Sequence, residues 1–389
     1  MSFLFVCCTY HVNSPGYIDR VKKAISRSPV VALLGPRQCG KTTLARMICD
    51  HQASTYFDLE SQTDLRRLAN PEMILTSLQG LVVIDEIQTR PDLFAALRVV
   101  VDKPENKCNF LILGSASPHI IRSVSETLAG RVEFVDMAGF DLTELGSNSW
   151  KQLWIRGGFP RSFLARNDQD SLAWREGFIR TFLQRDIPQL GINIPAPAMR
   201  RFWTMLAHYH GQIWNASRMG SALGINDKTA RSYLDLLTQT YMIYQLQSWH
   251  ENIRKRQVKS PKIYFRDSGL LHSLLDVGDF HAVTGHPQAG ASWEGFAMEQ
   301  IIRKTHPSQV YYWATYSGAE LDFFTVVNGK RYGIEFKFSE APDKTKSMAV
   351  AVESLRLDKL LIVYPGQESW PIDETISVCP IAEAEQFLE

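Results

Sequence analysis

Short, wholly apolar runs separated by polar and helix-like stretches dominate the first third of the chain: Val30-Val-Ala-Leu-Leu34, Leu81-Val-Val-Ile84 and Phe110-Leu-Ile-Leu113. Runs of this length without polar alternation are what strands buried on both faces of a parallel sheet require. The stretch Thr43–Cys49 between the first two reads as a helix, so residues 17–145 are expected to form an α/β domain. A polar break at Gly146-Ser-Asn-Ser149 ends it. Residues 146–197 then read as a helical linker or lid, with its clearest helix over 171–185 and the stiff Pro195-Ala-Pro197 as its boundary.

From Met199 the pattern changes to shorter helices. Residues 199–210 and 216–223 read as two of them, Gly224-Ile-Asn226 as a turn, and 228–238 as a third carrying Ala230, Leu234 and Leu237 on one face. Strand-like segments at 241–246 and 262–265 follow, so 198–289 is expected to be a winged helix-turn-helix. Beyond 290 the order is a helix containing Glu294, strands at 311–313, 320–327 and 332–338, a helix near 347–355, and a strand at 360–364.

At 389 residues, 45% hydrophobic and 21% charged, the chain should hold two or three soluble domains. Its net charge of +1 decides nothing about partners, so a nucleic-acid surface would have to be a local patch. Cys7, Cys8, Cys39, Cys49, Cys108 and Cys379 form no C-x-x-C pair, which points to reduced thiols in a cytoplasm. No apolar stretch is long enough to span a bilayer, so no membrane is expected. The first sixteen residues read as a frayed extension or a mis-set start.

Gly35-Pro36-Arg37-Gln38-Cys39-Gly40-Lys41-Thr42, followed by Thr43, is a G-x-x-x-x-G-K-[ST] loop set between a strand and a helix. Its glycines let successive backbone N–H groups face phosphates, Lys41 supplies a charge to the β- and γ-phosphates, and the Thr42 hydroxyl can ligate Mg²⁺. The run 81–84 ends in Asp85-Glu86. There Asp85 would hold Mg²⁺ and Glu86 would polarise the attacking water, which favours an ATPase over a kinase. No guanine-reading Asn-Lys-x-Asp or Thr-Lys-x-Asp occurs, so the expected cofactors are ATP and Mg²⁺. Ser115 is either a γ-phosphate sensor or an ordinary strand-end residue. Arg131 is either an arginine finger reaching a neighbouring subunit in a homo-oligomer or a surface ion pair.

Two further constellations carry chemistry. The third helix would expose Lys228, Thr229, Arg231 and Ser232. The segment from Arg254 through Lys255, Arg256 and Lys259 to Lys262 is basic and holds no acid, as contact with DNA phosphates requires, although solvated basic loops are common. In the last region Glu335 and Lys337 alternate on one strand face, and Asp322 on the preceding strand can complete a carboxylate pair for Mg²⁺. Lys337 would orient or deprotonate a water. Glu294, on a helical stripe with Met298 and Ile301 and lacking a local counter-charge, would join that metal set.

Asp322, Glu335 and Lys337 resemble the Asp…Glu-x-Lys signature of the PD-(D/E)XK nuclease superfamily. The chain from Tyr17 onward is similar to prokaryotic AAA+ superfamily ATPases whose C-terminal half is a domain of unknown function. The resemblance rests on Gly35–Thr43, Val83–Gln88, Leu128-Ala-Gly-Arg131, Gly157-Gly-Phe-Pro160, Arg185-Asp-Ile187, Pro261–Phe265 with Asp267 and Gly269, and Glu335-Phe-Lys337. It implies a fold class of α/β with a P-loop parallel-sheet ATPase domain (17–145), a winged helix-turn-helix and a C-terminal α/β nuclease-like domain (290–389). Gly114-Ser-Ala-Ser117 departs from the more usual Thr-Gly-Ser-Ser and shifts the sensor position by one residue. The expected activity is ATP hydrolysis that repositions a nucleic-acid-binding, nuclease-like half. The alternative is a nucleotide-gated switch that recruits a protein partner and cleaves nothing.

Overall fold

The computed structural model describes residues 15–115, 124–190, 194–250 and 259–387. Two compact units account for them. One runs to Glu144 and also takes in Gly158–Pro160 and Gln239–Tyr241; the other comprises Leu145–Gly157, Arg161–Thr238 and the chain from Met242 onward.

The first unit is built on strands β1 (Val30–Gly35), β2 (Ser54–Asp58), β3 (Gly80–Asp85), β4 (Cys108–Ser115) and β5 (Val132–Asp136). They pair in parallel in the order β2-β3-β4-β1-β5. Val30, Ala32 and Leu34 pack with Val82, Ile84, Phe110 and Leu97 in one core layer, while Val31, Leu33, Val83 and Leu111 are equally buried on the alternate face. Covering a sheet on both sides removes the apolar/polar alternation, which is why these strands read as continuous apolar runs. β2 and β5 stand at the edges. Their exposed positions give them weaker sequence patterns.

The second unit contains β6 (Gln212–Ile213), β7 (Ile243–Ser248), β8 (Lys262–Phe265), β9 (Tyr311–Ala314), β10 (Glu320–Val327), β11 (Lys330–Phe336), β12 (Lys359–Tyr364), β13 (Trp370–Pro371) and β14 (Ile376–Pro380). They form one mixed sheet of nine strands in the order β13-β14-β12-β11-β10-β9-β7-β8-β6. Most of the regions 146–197, 198–289 and 290–389 falls in this one compact unit, apart from Gly158–Pro160 and Gln239–Tyr241. The junction is the parallel pairing of β7 with β9, Gln247 beside Tyr311 and Ser248 beside Tyr312. Helices Ala216–Leu223 and Asp227–Gln239 flank a turn in which Gly224 closes the first helix in the left-handed conformation at φ 70°. The helix Ala289–Thr305 precedes β9, and Lys346–Leu355 connects β11 to its parallel neighbour β12.

Gly157 and Gly269, one from each of two sequence motifs, have a packing reason within this unit. A Cβ on Gly157, at φ +74°, would lie 2.2 Å from the Asp267 carboxylate, and one on Gly269 would lie 2.2 Å from the Arg156 carbonyl oxygen. Nearby, the buried Arg175 guanidinium donates to the carbonyl oxygens of Ile155 and Gly269 at 3.0 and 2.7 Å.

Candidate nucleotide site and a buried carboxylate–lysine cluster

The loop Pro36–Gly40 leaves the C-terminal end of β1, and the helix Lys41–Cys49 starts directly after it. Gly40 has φ 111°, open without strain only to glycine, and Gln38 is also left-handed at φ 63°. Lys41 donates to the carbonyl oxygens of Gly35 and Pro36 at 3.0 and 2.8 Å, so the ammonium lies curled within its own loop. The Cys39 side chain is fully buried with Sγ toward the Met137 carbonyl oxygen, which leaves only its backbone to face a ligand. Arg37 pairs with Glu60 at 3.6 Å.

The end of β3 brings the two acids to this loop. Asp85 Oδ2 accepts from the Thr42 hydroxyl at 2.8 Å and from the Tyr56 hydroxyl at 2.6 Å, while Oδ1 accepts from the Glu86 backbone N–H. Tyr56, on β2, went unnoticed in the sequence because an isolated aromatic on a short strand carries no motif. Glu86 adopts the left-handed conformation at φ 56° and accepts a hydrogen bond from Gln88. Burial and then the charge of Asp85 push the Glu86 carboxyl above its usual value, with Lys41 pulling the other way. A carboxyl raised in this manner is a better acceptor for the proton of a water. Thr42 and Asp85 are two hard oxygen ligands side by side with no lysine or arginine between them, a donor set that fits Mg²⁺.

Ser115 ends β4 in register with Gly35 and so stands beside the loop. Arg131 does not. It precedes β5 at the opposite end of the sheet, where its backbone oxygen accepts from Val30 N–H. Five strand steps of about 3.3 Å put it roughly 17 Å from the loop in this chain. Its guanidinium pairs bidentately with Asp102 at 2.6 and 2.8 Å, the surface ion pair of the two readings.

In the second unit, Asp322 falls opposite Glu335, one step beyond the Phe323–Ile334 pair of β10 and β11. Directly opposed residues share a face with Cβ atoms about 5 Å apart. Asp322 Oδ2 also accepts from Phe336 N–H at 3.2 Å, and Lys337 pairs with Glu335 at 2.8 Å. These three expected residues are brought together as read. Their expected metal is a different matter. Among the described residues no group of three or more His, Cys, Asp or Glu is arranged to hold an ion. The cation beside Glu294 and Asp322 is the ammonium of Lys262, 3.4 Å from each, and it also pairs with Glu320.

Lys262 is therefore a correction. Read as the last basic residue of a DNA-facing wing, it is buried to 3% exposure because it opens β8, whose Lys262 and Tyr264 share a face turned to the helix carrying Glu294. The Tyr264 hydroxyl donates to Glu294. Burial, then Asp322, raise the Glu294 and Glu335 carboxyls above their usual range, with Lys262 and Lys337 respectively opposing. Lys259 is exposed, as are Lys228, Arg231 and Ser232, whereas Thr229 is half-buried. Arg254, Lys255 and Arg256 lie outside the described residues.

The loop, the acids beyond β3 and the five-stranded parallel sheet define a P-loop nucleotide-binding domain of the AAA type, and residues 27–146 match the family described as AAA domain. Residues 147–281 and 289–384 match two families described as domains of unknown function, DUF8612 and DUF4143. The chain is 48% identical over 369 residues to Uncharacterized protein Rv2008c of Mycobacterium tuberculosis and equally to Uncharacterized protein Mb2031c of Mycobacterium bovis, a match spanning 95% of this chain and 83% of each relative. The chain belongs to the family of these two proteins. Among solved structures it is similar to the Walker-type ATPase PABY2304 of Pyrococcus abyssi, at 15% identity and a TM-score of 0.49 over 66% of this chain and 94% of that one.

Proposed function

We propose that this protein binds ATP with Mg²⁺ and hydrolyses it on the first unit, and that nucleotide state changes the placement of the second. The observation that carries the reading is the Asp85 carboxylate, hydrogen-bonded to the Thr42 hydroxyl at 2.8 Å with Glu86 as the next residue. On binding, Lys41 would exchange its own loop carbonyls for phosphate oxygens, and the loop N–H groups with the N-terminus of Lys41–Cys49 would supply the rest of an anion cradle. A bound Mg²⁺ would neutralise phosphate charge. Glu86 polarises the attacking water, Ser115 stands where a γ-phosphate contact is possible, and Arg131 could act only on another subunit of a homo-oligomer.

The second unit supports a winged helix-turn-helix continuous with a nuclease-like sheet. Its helix, three strands, helix and strand, with Asp322 opposite Glu335 and Lys337 two residues on, have the order of that superfamily. The exposed Lys228, Arg231 and Lys259 make DNA the partner we favour. Lys262 among the acids favours the switch reading, in which this half binds but does not cleave by metal. Cys39, Cys49, Cys108 and Cys379 are free thiols, as a cytoplasmic protein would have, and no described helix is long and apolar enough to cross a membrane.

ATP turnover in Mg²⁺, measured for wild type and Glu86→Gln with and without DNA, tests this. Glu86→Gln should keep ATP bound while turnover falls about 10²- to 10⁴-fold, the usual contribution of a positioned acid–base group. Undiminished turnover in that variant removes Glu86 from its role. Stimulation by DNA supports the nucleic-acid partner, and its absence transfers the reading to a protein partner.

A further inference from the structure

The structure assigns Lys262 as the internal cation of the C-terminal carboxylate cluster, so that this cluster takes no divalent metal in the native protein. An ammonium carries three N–H donors and no acceptor. Those of Lys262 face three carboxylates, Glu294 and Asp322 at 3.4 Å each and Glu320 closer still. The Tyr312 ring, 5.6 Å from the nitrogen, lines the same enclosure. The neighbouring acid, Glu335, has its own ammonium in Lys337 at 2.8 Å.

A divalent cation bridging Glu294 and Asp322 would have to lie about 2.0 to 2.6 Å from their oxygens, in the space the Lys262 ammonium occupies. Two cations cannot share it. Lys262 cannot simply withdraw, because it opens β8, where Lys262 pairs with Ile213 of β6 on one side and Leu246 of β7 on the other. The Tyr264 hydroxyl also donates to Glu294, so that carboxylate is already met by a hydroxyl as well as by the Lys262 ammonium. The residues expected to bind Mg²⁺ do not fit it with Lys262 in place. This deepens the switch reading of the second unit and rests on that reading only for the choice of ion tested.

The experiment uses the full chain without nucleotide in an Asp85→Asn background, which removes the other divalent site and separates the result from any failure of the ATPase reading. Mn²⁺ binding is followed by electron paramagnetic resonance and by thermal shift. The Lys262-containing protein should bind Mn²⁺ no better than the same protein carrying Asp322→Asn. Adding Lys262→Met should tighten Mn²⁺ binding at least tenfold, and Asp322→Asn should reverse the gain. Mn²⁺ binding in the Lys262-containing protein that Asp322→Asn abolishes would overturn the assignment, as would a folded Lys262→Met protein that binds no more tightly. Lys262→Arg, which keeps the charge, should behave as the parent; a tenfold gain there would also count against it. Should Lys262→Met fail to fold, the comparison of parent with Asp322→Asn decides alone.

Discussion

The two units each place acids at a strand end near a lysine, and they use the lysine in opposite ways. In the first, Lys41 turns to the carbonyl oxygens of Gly35 and Pro36, and Asp85 meets only hydroxyls and a backbone N–H. In the second, Lys262 goes among Glu294, Glu320 and Asp322. The difference follows from where each lysine is anchored. Lys41 begins a helix after a glycine-rich loop and can change partner when phosphates arrive, whereas Lys262 is fixed by a strand paired on both sides. On the proposed reading, the first site, whose acids lack an internal cation, is completed by a ligand, and the second, with its buried ammonium, is complete without one.

Removing each lysine gives the largest expected contrast. Lys262→Met leaves buried carboxylates uncompensated and should lower unfolding stability by about 3–5 kcal/mol, the usual cost of breaking a buried pair. Lys41→Met loses two hydrogen bonds to a loop and should cost about 1–2 kcal/mol at most, while ATP binding is weakened. Urea denaturation of both variants without nucleotide reads the order directly. A Lys262→Met protein as stable as wild type, or a less stable Lys41→Met protein, would erase the distinction between the two sites.

A smaller effect is expected from pH. Burial and Asp322 raise the Glu335 carboxyl above its ordinary 4.5, so the native state holds a proton that the unfolded chain has already released above that pH. The associated stability is fully present below about pH 4.5 and is lost as pH rises through the raised value, with a slope of at most about 1.4 kcal/mol per pH unit for one proton. Glu335→Gln should flatten the decline of stability between pH 5 and 8. An unchanged slope would mean that the proton is held elsewhere.

Much of the first unit was legible in the sequence because its information is local. Apolar runs marked β1, β3 and β4, and the loop and Asp85-Glu86 lie at their ends. β2 and β5 were not seen, since edge strands such as Val132–Asp136 expose most of their side chains and lose the pattern. In the second unit Glu335 and Lys337 were read from strand alternation with Asp322 on the preceding strand, and Glu294 was marked as an acid lacking a local counter-charge. The partner was 32 residues earlier in a segment that looked like a basic loop. Charge in a sequence does not report burial, and the pairing of β7 with β9 that folds Lys262 inward is non-local. The one available signal was the Lys262-Ile-Tyr264-Phe alternation, which gives a short strand a polar face next to an apolar one.

The smallest effect sharpens the first site. The Tyr56 hydroxyl shares Asp85 Oδ2 with Thr42, and its phenol is kept protonated, and so a donor, by burial and the charge of Asp85. Because Tyr56 sits on β2, paired alongside β3, it gives the carboxylate a second hydroxyl donor from outside the loop and limits its rotation. Tyr56→Phe removes one hydrogen bond, worth about 1 kcal/mol, without touching the acids or the lysine. The expected outcome is a three- to tenfold rise in the Mg²⁺ concentration giving half-maximal ATP turnover, with kcat at saturating Mg²⁺ changed less than about twofold. A fall in kcat with unaltered Mg²⁺ dependence would place Tyr56 with Glu86 in handling the water, and no change in either would leave Asp85 positioned by Thr42 and the Glu86 backbone N–H alone.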